Sequence, residues 1–377
     1  MKRSMSAARR VAAWLGSALV IAGCSSGPEK PTPRPLEPLT PQNVARPAWN
    51  QRLTNVQFPL TVGIARGALA VGASDGSVLA IEADSGRELW RNNVGGALAA
   101  GVGSDGRFAA VVTVGGELVT LEAGQIKWRK PIGSRVATAP LVAGERVFVL
   151  GVDRTVQAFD ALEGRKLWTL QRPGDPLTLA QTGVLSAFKD TLVVGQGPRM
   201  TGVDPLAGTV RWEVPIGSPR GANEVERLAD LVGPALRVGN TLCARSFQAA
   251  VGCVDADRGS LVWARNGGGT DAIGGDREFV YGADASDRLT AWRKDNGEVA
   301  WTSEALLYRG LSAPVVHGNS VVVGDAEGTL HWFSRDKGEA QLRLPTDGSA
   351  IVAPPVVVGS TLFVVTRSGG LFAFRAP

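Results

Sequence analysis

A glycine and a tryptophan recur together along this chain and set narrow limits on its fold. Gly-x-x-x-Trp occurs at Gly86/Trp90, Gly124/Trp128, Gly164/Trp168, Gly208/Trp212, Gly259/Trp263 and Gly297/Trp301; a seventh copy, Gly338/Leu342, carries Leu instead of Trp. Successive Trp residues lie 38, 40, 44, 51 and 38 positions apart. Each copy follows a short alternating apolar run, such as VLAIEAD, LVTLEA or VQAFDA. Alternation at period two predicts strands, and no stretch after residue 48 shows a long helical period. Asp75-Gly76, Gly115-Gly116 and Gly369-Gly370 separate apolar runs, and Gly supplies the positive φ that tight hairpins need. Strand units of about forty residues are the signature of a β-propeller.

The expected fold is all-β: an eight-bladed β-propeller of four-stranded antiparallel blades, with seven as the alternative count. Residues 49–377 divide into eight units of about 41 residues. The last unit stops before any Gly-x-x-x-Trp strand, and the missing strand lies at the other end of the domain, near Ala48–Leu53. Pairing it with the C-terminal blade closes the ring and removes a free edge. The repeated Trp is expected to pack on the neighbouring blade, with its N–H on a backbone carbonyl. The repeated Gly suits a turn with positive φ.

The N-terminus carries a different pattern. Lys2, Arg3, Arg9 and Arg10 precede an uncharged apolar run at 11–23. Thirteen residues span roughly 20 Å as a helix, too short for a bilayer core of about 30 Å. A cleaved signal peptide over 1–23 is the reading. Ile21-Ala22-Gly23-Cys24 resembles the bacterial lipobox, which implies lipidation of Cys24 and anchoring at the outer membrane, facing the periplasm, since residue 25 is Ser. Seven prolines between 25 and 48 favour extended polyproline II, so 24–48 reads as a lipidated Cys and Pro-rich tether before the propeller at 49–377. Cleavage removes four cations and leaves 36 basic against 35 acidic residues. The electrostatic footprint of a nucleic-acid binder is therefore missing. Two His and three Cys argue against zinc and His-based acid–base chemistry.

The units resemble the PQQ-like, or quinoprotein, repeat, with turn acids at Asp160, Asp204 and Asp255 and Glu82 in the first copy. With the lipobox and the eight-blade count, the chain resembles the BamB family of the outer-membrane barrel assembly machinery. Residues 224–230, 306–315 and 323–332 carry that resemblance. It implies a non-enzymatic scaffold, without cofactor, that binds the periplasmic POTRA domains of BamA. Blade edges would be available to unfolded outer-membrane β-barrel substrates, because an open edge has unpaired backbone groups. In two places the sequence departs from the family. The family's Leu-x-Leu-Arg motif becomes Leu177-Thr178-Leu179-Ala180, and its second acid after Asp230 is replaced by Val232.

The site residues expected from this resemblance fall in two segments. Leu177 and Leu179 follow Pro173-Gly174-Asp175-Pro176 and read either as strand core or as an apolar anchor for a partner. The 51-residue step holds about ten extra residues in GSPRGANEVERLADLVG. An inserted charged loop on a regular scaffold is a frequent place for function, and Glu226, Arg227 and Asp230 could form charge-assisted bonds there. Cys243 and Cys253 flank a hairpin with its tip near Phe247–Ala249. A three-residue turn would set them opposite each other; both a disulfide, in the oxidising periplasm, and two buried thiols fit.

Enzyme patterns fare worse. Gly72-Ala73-Ser74-Asp75-Gly76 matches a nucleophile elbow but lacks the strand–turn–helix context. Gly101-Val102-Gly103-Ser104-Asp105-Gly106 matches a dinucleotide loop but opens no helix. The rival to a scaffold is a periplasmic PQQ-dependent dehydrogenase, yet the chain lacks that family's adjacent cysteines. His317, expected in a turn, and His331, in a strand, have no second His or Cys at ligand spacing.

Overall fold

A computed structural model describes residues 31–172 and 177–376. The expected signal peptide and Cys24 lie outside the described residues. Among those described there are 32 strands in eight four-stranded antiparallel sheets, and no helix long and apolar enough to cross a membrane. Blades 1–7 cover 63–93, 103–131, 141–170, 185–215, 231–266, 274–303 and 315–345. Blade 8 combines Val356–Val358, Thr361–Val365 and Gly370–Arg375 with β1, Arg46–Arg52, from the other end of the chain. The closing strand thus begins two residues before the expected Ala48. It pairs antiparallel with Gly370–Arg375, from Arg46 opposite Arg375 to Arg52 opposite Gly370.

The middle strands of each blade are almost wholly buried, as in Phe108–Val112 and Thr361–Val365, while the outer strands alternate with solvent. Apolar side chains from neighbouring blades meet face to face. Val147, Val149 and Phe159 of blade 3 pack with Phe108, Ala110 and Leu118 of blade 2. Such sheet-on-sheet burial is the main stabilising term.

The repeated Gly and Trp meet across blade boundaries. Trp128 on blade 2 donates its indole N–H to Ala161 O of blade 3 at 2.8 Å, and Trp49, Trp168, Trp263 and Trp301 make the same kind of bond at 2.7–3.0 Å. In every copy the outer strand shifts register just before the Trp: Ala80 faces Trp90, but Ile81 faces Glu88. The bulge increases local twist and re-aims the ring onto the next blade. Trp49 is the eighth member of the set, split from its Gly pattern by the chain termini. Leu342 is the exception for a physical reason. Its blade faces the closure, where the chain ends replace a Gly turn, and it packs with Ala45 and Phe374 instead.

The Gly of each pattern meets two demands. Gly164 has φ +69°, and a Cβ there would lie 2.6 Å from Trp128 Cδ2. Gly164→Ala therefore adds a left-handed backbone penalty to a steric clash, and about 2 kcal/mol of destabilisation is expected. A urea titration with unchanged slope checks it; an unmoved midpoint would mean that the Trp moves aside freely.

Candidate functional site

Strand direction fixes the two faces of the ring. Strands alternate within a blade, so the second-to-third turns and all interblade connections share one face, and the first-to-second and third-to-fourth turns share the other. Segment 177–184 links blades 3 and 4, and 217–230 links blades 4 and 5. Both lie on the interblade face.

Asp230 ties these two connections together. Its Oδ1 pairs with Arg154 Nη2 at 3.1 Å, and its Oδ2 accepts the Leu179 N–H at 3.2 Å. Arg154 stands in the second-to-third turn of blade 3, with φ +64°. Asp230 O also accepts the Phe247 N–H, at the tip of the blade 5 hairpin. One carboxylate and its carbonyl thus connect blade 3, the 177–180 segment, the inserted loop and blade 5. The side chains of Arg154 and Asp230 are 14% and 15% exposed, so the pair is shielded enough to exceed the small contribution of surface ion pairs.

The leucines divide. Leu177 is 36% exposed. Leu179 is half-buried against Val232, Ala272 and Ala313, beside Phe247. Val232 itself is buried, so the position that carries a second acid in the family is a packing position in this chain. Ala180 lines an apolar groove of about 760 Å3 with Phe58, Leu98, Val114, Val136 and Val152.

In the inserted loop, Asn223 Oδ1 accepts the Glu226 N–H at 2.9 Å, and Asn223 O accepts the Arg227 N–H at 3.2 Å. Glu226 Oε2 accepts the Ala222 N–H at 2.7 Å, and Arg227 Nη1 reaches Ala222 O at 3.4 Å. Glu226 and Arg227 thus hold one tight turn whose tip, Val225, is 68% exposed. The same loop borders a groove of about 910 Å3 that runs past Leu228, Phe247, Leu261 and Trp292.

Cys243 and Cys253 face each other across the hairpin of blade 5 and are joined, with a three-residue tip at Phe247–Ala249. Two residues on, Arg245 is fully buried and donates to Gly268 O, while its Nε and Nη2 have no partner. Burial pushes its guanidinium down to about 10, against the pull of Asp271 and Asp284. Gly269 is needed above it, because a Cβ there would sit 1.6 Å from Arg245 Nη1 and 2.6 Å from Ala283 O. Alternation alone gives no signal for a charge at a core position.

The central space, about 960 Å3, is lined by Gln57, Gln181, Asp271, Asp287 and Arg367 among others. Desolvation raises the Asp271 carboxyl above its usual range; Thr270 and Arg245 oppose the shift and Asp287 adds to it. No group of three or more metal-ligating side chains occurs among the described residues.

A second polar cluster sits in blade 7. Asp325 Oδ2 accepts from Arg309 Nε at 2.9 Å and contacts His331 Nε2 at 3.0 Å, all three being buried. Burial pushes the His331 imidazole down despite Asp325. His317 ends the strand Val315–His317 rather than lying in the turn, and its Nδ1 accepts the Trp332 N–H at 3.3 Å. Both histidines are structural.

The fold defines the chain as an eight-bladed propeller of the PQQ-like class, with braced loops on its interblade face. A sequence profile described as outer membrane protein assembly factor BamB matches residues 74–303. The chain is 33% identical to the outer membrane protein assembly factor BamB of Bordetella pertussis, covering 97% of each chain, and 34% identical to that of Burkholderia pseudomallei, covering 96% and 97%. The crystal structure of BamB from Moraxella catarrhalis superposes with a TM-score of 0.80 at 23% identity, covering 88% of this chain and all of that one. A quinohemoprotein alcohol dehydrogenase from Comamonas testosteroni shares the fold at a TM-score of 0.66 and 16% identity. This chain belongs to the BamB family, a family of assembly factors and not of quinoprotein dehydrogenases.

Proposed function

We propose that this protein is a non-enzymatic scaffold of outer-membrane β-barrel assembly, anchored through lipidated Cys24 and bound to the POTRA domains of BamA. The relatives' shared name, outer membrane protein assembly factor, supports the process. The observation that carries the site is the Asp230 brace, which holds the 177–180 segment and the inserted loop on one face. Leu177 offers the exposed apolar contact, and Arg227 and Glu226 shape the turn in the next interblade connection. Ala180 leaves a groove where the family has an arginine, so the contact is more apolar here. Outer strands with exposed Leu89, Val210, Leu261 and Val299 are the edges at which unfolded barrel strands would pair.

A pull-down of the mature domain lacking Cys24 against the POTRA region of the same organism's BamA tests the reading. Capture is expected for the wild type. Leu177→Asp/Leu179→Asp should abolish it, and Asp230→Ala should weaken it roughly tenfold or more by releasing both loops. Capture unchanged in both folded variants would move the interface elsewhere, and no capture of the wild type would remove BamA as the partner.

A further inference from the structure

Residues 34–45 of the Pro-rich segment lie against the propeller. Arg34 N–H donates to Leu307 O at 2.9 Å, and Arg309 Nη1 donates to Arg34 O at 3.3 Å. Leu36 packs on the core between blades 6 and 7. Arg343 donates to Glu37 O, Gln42 N–H donates to Gln341 O at 2.8 Å, and Asn43 Nδ2 donates to Ser320 Oγ at 2.8 Å. Ala45 is buried beside Leu342. Residues 34–45 therefore run along the outer strand of blade 7, Ala340–Pro345, from one face of the ring to the other. They enter β1 at the Arg46–Arg375 end.

The direction of that run is informative. Leu307 and Arg309 belong to the connection between blades 6 and 7, on the same face as 177–184 and 217–230. Ser320 begins the second strand of blade 7, on the opposite face. The chain thus meets the propeller on its interblade face and crosses blade 7 before joining the ring.

We propose that residues 34–45 are a strap that turns the interblade face, with its 177–180 and 217–230 loops, toward the lipid surface. The proposal rests on the lipidation of Cys24. Only about ten residues separate Cys24 from the strap, a reach of at most roughly 35 Å. A free tether of 24–45 would reach about 75 Å, enough to let either face point at the membrane. The strap halves that reach and starts it from the interblade face, where Arg34 meets Leu307 and Arg309, so that face is favoured. Docking and anchoring then cooperate, because the loops are held near the bilayer at high effective concentration for a membrane-bound partner.

The test uses the full lipidated chain in vesicles of phosphatidylethanolamine and phosphatidylglycerol that carry an acceptor-labelled lipid. A donor dye is placed by Val114→Cys, in a second-to-third turn on the interblade face, or by Glu163→Cys, in a third-to-fourth turn on the opposite face. Both positions are exposed and lie on adjacent blades. A blade is roughly 20 Å tall, so energy transfer from position 114 should exceed that from 163 about twofold. Leu36→Asp with Asn43→Ala, in a chain that still folds by circular dichroism, should erase the difference. Equal transfer from both positions in protein that floats with the vesicles would overturn the orientation alone. A difference that survives the double substitution would overturn the strap as its cause. Protein that does not float would overturn the lipid anchoring, and the orientation with it.

Discussion

Asp325→Ala is expected to cost about 3–5 kcal/mol, the usual range for removing one partner of a buried ion pair. Asp325 is fully buried, and Arg309 is 6% exposed. The carboxylate accepts from Arg309 and meets His331 through Oδ2, while Oδ1 accepts the N–H groups of Glu327 and Thr329 at 3.0 and 2.9 Å. Truncation strands the Arg309 guanidinium with exposed Glu327 and the Arg34 carbonyl, and it frees two turn donors. Asp325→Asn keeps the backbone bonds and should cost less, which separates loss of charge from loss of the turn. The wild type should also lose stability toward acid. Burial holds His317 and His331 below their ordinary value, so the unfolded chain takes up protons first as pH falls through about 6.5. The Asp325 carboxyl is held low by His331, the Thr329 N–H and Arg309 against desolvation, so its contribution is lost further down, as pH falls through its depressed native value. Urea midpoints across pH check both. An Asp325→Ala midpoint within error of the wild type would show that Arg309 finds water.

The repeat was legible because its geometry is demanding. A turn against a neighbouring indole admits only Gly, and the indole must reach one carbonyl, so both residues recur at fixed spacing. The closing strand was legible by subtraction, although its Trp49 lacked a Gly partner in sequence. The bulge before each Trp was hidden, since any residue can fill it: Leu89, Lys127 and Arg211 all do. The Asp230 brace was half legible. The acid stood out in a charged insert, but Arg154 lies 76 residues away in a turn without distinguishing composition. The split of Leu177 from Leu179 depends on what covers each, which period two cannot report. Proline content gave extended backbone for the tether but not the blade 7 edge on which it lies. The Arg309–Asp325–His331 cluster sat within stretches that carried the family resemblance, yet nothing in the sequence marks its charges as buried, because burial is a tertiary property.

Removing the Cys243–Cys253 bond, by Cys243→Ala/Cys253→Ala, should lower stability by about 3 kcal/mol. The bond closes a loop with a sequence separation of 10, and loop-closure entropy for a loop of that size is about 3 kcal/mol. Both sulfurs are buried among Val251, Trp263, Ile273, Val280 and Trp292. The smaller Ala side chains therefore leave space that the blade 5–blade 6 contact fills incompletely, which adds to the loss. Reductant should lower the urea midpoint of the wild type and leave that of the variant unchanged. Equal midpoints for wild type and variant without reductant would mean that the hairpin is held by its ladder and its packing alone. The location gives the bond a second consequence. The strands it joins carry Phe247 at their tip, and the Phe247 N–H binds Asp230 O. A hairpin loosened at its base transmits that motion to the brace that positions Leu179 and the inserted loop. Capture of the POTRA region should therefore weaken in the double variant even under conditions where the propeller remains fully folded.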